Sequence, residues 1–235
     1  MPAIDSTYRV ALPNRLSRAV LRPIFRGLFR ILAPVDIQGA EHVPYGKPYI
    51  AAINHVSTFD PPFMLAFWPE NIEALGASDI WQRKSFAQAF LVRLYGATAV
   101  HRGEFDREAV SRVVGVLKAG YPLLMSPEGG RSHNTAMRQA RPGLAFLVEQ
   151  AGVPVVPVGI IGTTDDFFQR AVRGARPPLT MRIGQPLELP PVEGKGEARR
   201  ANRQHNVDLV MAHIAGLLPL SYRGYYAASA LEPAG

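Results

Sequence analysis

This chain of 235 residues lacks cysteine, has few charged residues and contains no long apolar run. It contains no cysteine, which excludes disulfide bonds, zinc-thiolate sites and cysteine nucleophiles. Charged residues make up only 19% of the chain against 47% hydrophobic residues, a balance that excludes a disordered chain. No run approaches the roughly 18 apolar residues of a membrane span, so we expect no transmembrane helix. The first five residues lack a basic segment followed by an apolar one, and we expect no signal peptide.

Motifs of several enzyme classes are missing as well. The sequence has no G-x-S-x-G nucleophile elbow, no H-E-x-x-H, no Walker A loop and no G-x-G-x-x-G dinucleotide fingerprint. Its six histidines show no metal-ligand spacing, so we predict no metal site.

What the chain does have is an unevenly placed positive charge. Lys and Arg number 26 against 19 Asp and Glu, a formal net charge of +7. Residues 1–30 carry six arginines and only Asp5 as an acid, so the local charge is +5 and the other 205 residues carry +2. A basic surplus often indicates nucleic-acid binding, but this one belongs mostly to one arm, whose basic stretch at 14–33 has no interleaved Tyr or Trp for base stacking. We therefore predict no nucleic-acid partner.

Residues 14–33 of this arm predict a basic amphipathic helix, with a kink at Pro23. Large apolar residues fill the positions between arginines that recur every four residues: Arg18, Arg22, Arg26 and Arg30. Such a helix binds membrane lipids by burying its apolar side while its arginines meet phosphates, each charge adding roughly 1 kcal/mol. The alternative is an ordinary packing helix with a solvated basic face.

Beyond the arm, short β-like runs alternate with helical stretches. The predicted strands are Val35–Gln38, Pro48–Ile53, Glu73–Ser78, Thr98–Arg102, Pro122–Ser126, Val153–Ile161 and Leu179–Ile183. The predicted helices are Asp106–Lys118, Leu144–Gln150 and a C-terminal one around 207–218. This alternation predicts an α/β fold, a single layered domain with a largely parallel or mixed sheet flanked by helices. We divide the chain into the arm at 1–34, a main domain at 35–220 and a C-terminal tail at 221–235.

The loops after the strands are where an α/β fold binds its ligands. His55 follows the second strand, and Asp60 precedes Pro61 and Pro62, which predicts Asp60 as the N-cap of the next helix. The intervening turn would bring the carboxylate to one imidazole nitrogen and leave the other as a general base. The alternative is that His55 only satisfies the loop and Asp60 only caps the helix.

Three more strand ends carry polar or special residues. Arg102 ends the fourth strand and suits phosphate binding, although this residue taken by itself favours a plain surface arginine. Glu128, Gly129 and Arg131 follow the fifth strand, where a glycine turn lets backbone approach a ligand or simply turns tightly. The sixth strand contains Pro157; because proline is tolerated only at edges or first positions of a sheet, we predict that this strand ends against a cleft, with a plain edge strand as the alternative.

Four ordered blocks emerge: N-H-x-S-x-x-D, G-x-x-x-x-x-R, P-E-G-x-R-S and V-P-x-x-P. Together they resemble the glycerolipid acyltransferase family, which includes the 1-acylglycerol-3-phosphate O-acyltransferases. The likeness covers roughly residues 35–218. The third block usually begins with an aromatic residue and has threonine before its arginine, where this chain has Ser126 and Gly130.

The resemblance implies a site and a reaction. His55 is implied as the general base and Asp60 as its orienting carboxylate. Substrate binding is implied for a second set of residues: Ser57, Arg102, Glu128, Gly129, Arg131 and Pro157. The implied reaction moves an acyl group from acyl-CoA or acyl-carrier protein to 1-acylglycerol-3-phosphate, giving phosphatidic acid in phospholipid biosynthesis. These thioesters act as co-substrates, and no dedicated cofactor is expected.

Other functions stay open at this point. The same chemistry on another lysolipid acceptor, such as a lyso-aminolipid, is the nearest alternative. A lipid thioesterase and a non-catalytic membrane-binding protein are the others. With the arm as a lipid anchor, we expect a peripheral membrane protein on the cytoplasmic face.

Overall fold

A computed structural model describes residues 8–77, 95–96, 98–100, 107–132 and 134–231. Its strands are β1 Val35–Gln38, β2 Ile50–Ile53, β3 Glu73–Ala77, β4 Thr98–Val100, β5 Leu123–Met125, β6 Val155–Ile161 and β7 Leu179–Ile183. Its α-helices are α1 Leu12–Leu32, α2 Asp60–Phe67, α3 Arg107–Lys118, α4 Gly143–Ala151, α5 Phe167–Val172, α6 Gly196–Gly216 and α7 Leu220–Arg223. The predicted α/β class is confirmed. The ends predicted for two strands, at Ser78 and at 101–102, lie outside the described residues.

The strands form one mixed sheet in the order β1-β7-β6-β2-β5-β3-β4. Neighbours from β6 to β4 are parallel, whereas β7 is antiparallel to β6 and parallel to β1. Parallel strands present their carboxyl ends at the same edge of a sheet. The loops that follow β6, β2 and β5, which are neighbours, therefore meet at one edge.

Two apolar layers cover the two faces of this sheet. Side chains alternate along β2, so Ala51 and Ile53 join one cluster while Ile50 and Ala52 join the other. The first cluster contains residues of α1, α2 and α5, and the second contains residues of α3, α4 and α6. Because both faces are covered, the central strands are apolar throughout rather than alternating.

Helix α1 packs three of its arginines, Arg18, Arg22 and Arg26, against the protein. Arg18 forms a two-contact ion pair with Glu73 of β3, and both side chains are only 2% exposed. Arg22 and Arg26 donate hydrogen bonds to main-chain carbonyls at the C-terminal end of α2. The expectation that these three arginines meet lipid phosphates or water is wrong, because protein carboxylate and carbonyl groups hold them.

The outward side of α1 is an exposed apolar stripe. Its side chains are 43–74% exposed and recur at intervals of three or four residues. This set, named the α1 stripe, consists of Leu12, Leu16, Val20, Ile24, Leu28 and Ile31. Arg15 and Arg30, which directly precede two of these positions in the chain, are exposed as well. The apolar side of this helix therefore faces away from the protein.

Strand β6 lies inside the sheet, which excludes the alternative of a plain edge strand. The strand pairs with β2 on one side and with β7 on the other. Val155 donates its N–H toward the β7 side, to Leu187, and Pro157 has the same orientation two residues later. The Pro157 carbonyl accepts the N–H of Gly184 at 2.9 Å, next to the ladder pair of Val158 with Ile183. Pro157 therefore faces Gly184 without an N–H to return this bond, and the pairing of β6 continues at Val155 with Leu187.

Candidate active site

A histidine–aspartate pair follows the end of β2. His55 Nδ1 lies 2.7 Å from Asp60 Oδ2, with His55 14% exposed and Asp60 fully buried. A carboxylate can only accept, so Nδ1 carries the proton and Nε2 presents a lone pair. Within the described ranges, Nε2 has no hydrogen-bond partner in the protein. The arrangement gives His55 the tautomer that a general base needs.

Three further donors hold the Asp60 carboxylate in place. Its Oδ2 accepts the backbone N–H groups of Val56 at 2.7 Å and Ser57 at 2.9 Å. Its Oδ1 accepts the hydroxyl of Thr163, which lies just past the end of β6. A buried carboxylate without such donors would be costly, so these bonds stabilise it and fix its orientation.

The carboxylate of Asp60 does not cap α2, contrary to the prediction. The helix begins at Asp60 itself, and no side chain bonds to its first turn. Pro61 and Pro62 occupy the next two positions and have no N–H to be capped. The carboxylate therefore bonds backward, to the turn that carries His55.

Asn54 ties the end of β2 to β6. Its Nδ2 donates to the Ile160 carbonyl at 2.9 Å, and its Oδ1 accepts the Ile160 N–H at 2.7 Å. The side chain thereby continues the strand pairing where the backbone of β2 turns away. From the other side, Ser132 donates its N–H to the His55 carbonyl at 2.8 Å. The loop that carries His55 is thus fixed by segments following both neighbouring strands.

Glu128 lies beneath this loop, with both carboxylate oxygens occupied. Oε1 accepts the backbone N–H of His55 at 2.9 Å, and Oε2 accepts that of Arg138 at 2.8 Å. Burial raises the pKa of the Glu128 carboxyl, and the two N–H groups only partly offset this. Its contacts connect the His55 loop with the segment that follows β5.

Arginines surround the turn at Gly129. This glycine has φ +69°, and a Cβ placed on it would lie 3.3 Å from Cδ of Arg141. The guanidinium of Arg138 donates to the Gly130 carbonyl. Arg131 Nη1 lies 3.4 Å from Asp165 Oδ1, in a partly exposed pair. The turn therefore presents a cationic surface beside the His55 loop, suited to an anionic group.

The remaining residues predicted for substrate binding lie in different places. Ser57 is buried, and its Oγ accepts the N–H of Phe59 at 3.0 Å. Pro157 lies buried within β6, paired with Ala52 of β2. Arg102 lies outside the described residues. Sequence patterns had singled out neither Thr163 nor a bonding role for Asn54; the signal available for Thr163 was its position immediately after a strand.

Within the described part of the chain, no helix is both long and apolar enough to cross a bilayer. Nor do three or more Asp, Glu or His side chains within those ranges come together as metal ligands would.

A histidine–aspartate pair beside an arginine-lined turn, at the edge of an α/β sheet, is typical of an enzyme. Group-transfer enzymes are therefore the class of protein with which this chain is compared. The family profile described as Acyltransferase matches residues 34–161, more than half of the chain. The chain belongs to this acyltransferase family, which confirms the resemblance stated above.

Individual relatives are distant. The 1-acyl-sn-glycerol-3-phosphate acyltransferase alpha of Mus musculus is 24% identical over 163 residues, 69% of this chain and 56% of that protein. The lyso-ornithine lipid O-acyltransferase of Pseudomonas aeruginosa is 24% identical over 218 residues, 83% of each chain. A crystal structure of the 1-acyl-sn-glycerophosphate acyltransferase PlsC from Thermotoga maritima superposes with a TM-score of 0.59 at 19% identity, covering 87% of this chain and 83% of that one. The last comparison shows a shared fold.

Proposed function

We propose that this protein transfers a fatty acyl group from an acyl thioester to the free hydroxyl of a lysophospholipid. The observation that carries the proposal is the His55–Asp60 hydrogen bond at the end of β2. Nε2 of His55 takes the proton of the acceptor hydroxyl as its oxygen attacks the thioester carbonyl carbon. The C–S bond then breaks, and the departing thiolate takes the proton from the imidazolium. Protons balance, and His55 returns to its starting form.

Direct transfer fits the residues available. The chain has no cysteine and no nucleophile elbow, so nothing in it favours a covalent acyl-enzyme. Asp60 keeps the imidazole in one tautomer and stabilises the positive charge that forms during transfer. The donor is acyl-CoA or acyl-carrier protein.

The acceptor proposed is 1-acylglycerol-3-phosphate, with phosphatidic acid as the product. Its phosphate is a dianion that needs several donors, and the turn at Gly129 gathers Arg131, Arg138 and Arg141 beside the His55 loop. Arg131 leaves its long contact with Asp165 to bind the phosphate. Among the described residues its ion-pair partner is this exposed carboxylate at 3.4 Å, and breaking such an exposed pair costs little free energy.

The direct test is His55→Ala, assayed with acyl-CoA and 1-acylglycerol-3-phosphate and read by mass spectrometry of the product. Losing the base should lower turnover about 100-fold or more, with the melting temperature nearly unchanged. His205→Ala is the matched control, because His205 is exposed on α6, away from the site. Wild-type turnover in His55→Ala would refute the proposed base. Free fatty acid released without any acceptor would indicate a thioesterase instead.

A second acceptor class is favoured by the contact between Arg131 and Asp165. An acceptor with both an amine and an anionic group, such as a lyso-ornithine lipid, would match this pair of opposite charges. The relative from Pseudomonas aeruginosa carries that activity in its name. A panel of lysolipids with one labelled donor separates the two: preference for the phosphate acceptor supports the first proposal, and preference for the aminolipid supports the second.

We also propose that the α1 stripe docks the enzyme on the cytoplasmic face of a membrane as a peripheral protein. Burying a fully exposed leucine or isoleucine side chain contributes about 1.5–3 kcal/mol, so six partly exposed side chains suffice for reversible attachment. Exposed Arg15 and Arg30 add attraction to anionic lipids. The attachment is mainly apolar, since the other arginines of the helix are held by the protein.

Vesicle sedimentation tests this attachment, with phosphatidylcholine vesicles with and without phosphatidylglycerol. The double variant Leu16→Asp/Ile24→Asp should bind at least about tenfold more weakly. Leu220→Asp is the control, because Leu220 is equally exposed but belongs to α7. Equal losses in both variants, or none, would contradict docking through the α1 stripe. Vesicle binding without acyl transfer by the wild type would indicate a non-catalytic membrane protein.

A further inference from the structure

The carboxylate of Asp60 has two oxygens in unequal surroundings. Oδ2 receives His55 Nδ1 and two backbone N–H groups, whereas Oδ1 receives the hydroxyl of Thr163. In the described ranges Thr163 is the one donor to Oδ1. Thr163 lies just past the end of β6, and it is 103 residues further along the chain than Asp60. Both side chains are almost completely buried.

We propose that Thr163 is a positioning residue of the acyl-transfer site, acting on His55 through Asp60. A carboxylate that is bound at one oxygen alone can turn about its Cβ–Cγ bond. A second donor at Oδ1 fixes the plane of the group and so keeps Oδ2 directed at the imidazole. Because a buried acceptor without a donor is costly, the hydroxyl also stabilises the Asp60 side chain in that orientation.

The turn after β6 is built to place this hydroxyl. Gly162 has φ +95°, and a Cβ there would lie 2.1 Å from the Pro178 carbonyl oxygen, so no larger residue fits. The Gly162 N–H donates to the hydroxyl of Tyr222 at 3.1 Å. Burial raises the pKa of Tyr222, and the nearby Asp60 carboxylate adds to the effect. The turn is therefore held from the C-terminal segment as well as from the sheet.

The four blocks of the sequence do not contain Thr163. It follows Pro157, the last residue of the fourth block, by six positions. The inference rests on the proposed function, since a positioning role presupposes that His55 acts as a base. The experiment therefore combines a kinetic readout with a spectroscopic one that needs no activity.

The informative change is Thr163→Val, which keeps the shape of the side chain and removes its hydroxyl. We expect kcat to fall about tenfold to 100-fold while the acceptor KM changes by less than about threefold. Thr163→Ser keeps the hydroxyl and should retain kcat within about threefold of the wild type. Thr164→Val is the matched control, because the neighbouring hydroxyl bonds only the exposed carboxylate of Asp166.

The second readout is the imidazole Nδ1–H resonance of His55 in protein with ¹⁵N-labelled histidine, assigned through its loss in His55→Gln. It should shift or broaden in Thr163→Val and stay in place in Thr163→Ser and Thr164→Val. If Thr163→Val does not fold, Thr163→Ala is measured in its place with the same expectations.

The outcomes are distinguishable. An unchanged kcat or an unmoved Nδ1–H resonance in Thr163→Val overturns the inference, as does a serine variant impaired as strongly as the valine variant. Loss of kcat that follows a lowered melting temperature and a raised KM indicates a purely structural role and also overturns it. A wild-type protein that transfers no acyl group refutes the proposed function, while the resonance still decides whether Thr163 orients the pair.

Discussion

The buried ion pair between α1 and the sheet gives a quantitative test of how the arm is attached. Arg18 contacts both carboxylate oxygens of Glu73, donates from Nε to the Tyr95 carbonyl at 2.9 Å, and stacks 4.4 Å from the Tyr95 ring. Tyr8 donates its hydroxyl to Glu73 at 2.8 Å. Burial alone lowers the pKa of the Arg18 guanidinium, but Glu73 and the tyrosines outweigh it, so the pKa is raised.

Removing one partner should cost far more than removing both. Arg18→Met leaves the Glu73 carboxylate buried with a single tyrosine donor, and Glu73→Gln leaves a buried guanidinium without its counter-charge. Each single variant should lose about 3–5 kcal/mol of unfolding free energy. In the double variant no charge remains buried, and we expect a loss of about 1–2 kcal/mol, mainly from the unpaired amide.

Urea unfolding followed by circular dichroism measures these differences, and the double-mutant cycle gives the coupling energy. The control is the exposed pair Arg112–Glu108 on α3, whose removal should cost less than about 0.5 kcal/mol. Single variants of the buried pair that lose less than 1 kcal/mol would show that α1 is not anchored as described. A double variant as unstable as the sum of both singles would refute the charge-burial reasoning.

Three further predictions concern the loops at the site. In Glu128→Gln the amide NH₂ faces a backbone N–H, so two donors meet and one hydrogen bond is lost. The unfolding free energy should fall by about 1–3 kcal/mol at neutral pH. Because burial raises the pKa of Glu128, the contribution of this group to stability is complete below the ordinary glutamate pKa and is lost as the pH rises through the raised pKa. The advantage of the wild type over Glu128→Gln in urea unfolding should therefore shrink as the pH is raised from about 4. Asn54→Ala leaves both backbone groups of Ile160 unpaired and should lower the unfolding free energy by at least about 2 kcal/mol; a loss below 1 kcal/mol would contradict the pairing. Gly162→Ala should lose more stability than Gly174→Ala, because both glycines have positive φ but only the first meets a carbonyl; equal thermal shifts would contradict this.

Local patterns were sufficient for much of this fold and for the histidine–aspartate pair. Short apolar runs bounded by turn residues indicated central strands such as β2 and β6, which are buried on both faces of the sheet, whereas β1 and β7 alternate between more and less buried positions. The five-residue spacing of His55 and Asp60, with prolines behind, required only the turn between a strand and a helix. Helix α5, by contrast, was not predicted, because its six residues are too few to show the 3.6-residue spacing of apolar positions that indicates a helix.

The sequence of the arm does not show which face of its helix packs on the protein. An amphipathic pattern defines two faces of a helix, but not which of them meets protein and which meets lipid or water. Arg18, Arg22 and Arg26 of α1 face inward because Glu73 and the carbonyls at the end of α2 lie beneath them, and these partners are 40–55 residues away in the chain. No local pattern records a partner at that distance.

Thr163 could not be predicted because the sequence does not show where β6 lies in the sheet. In the alternative of a plain edge strand, the C-terminal end of β6 would lie at the rim of the sheet, far from the loop after β2. In the actual order β6-β2-β5, the loop carrying His55 and Asp60 has a neighbour on each side. Thr163 reaches the loop from the β6 side and Glu128 from the β5 side, so the central position of β6 is what makes a contact between Thr163 and Asp60 geometrically possible. Chain order alone does not give strand order, and the supporting residues of such a site become visible only once the neighbours of its central strand are known.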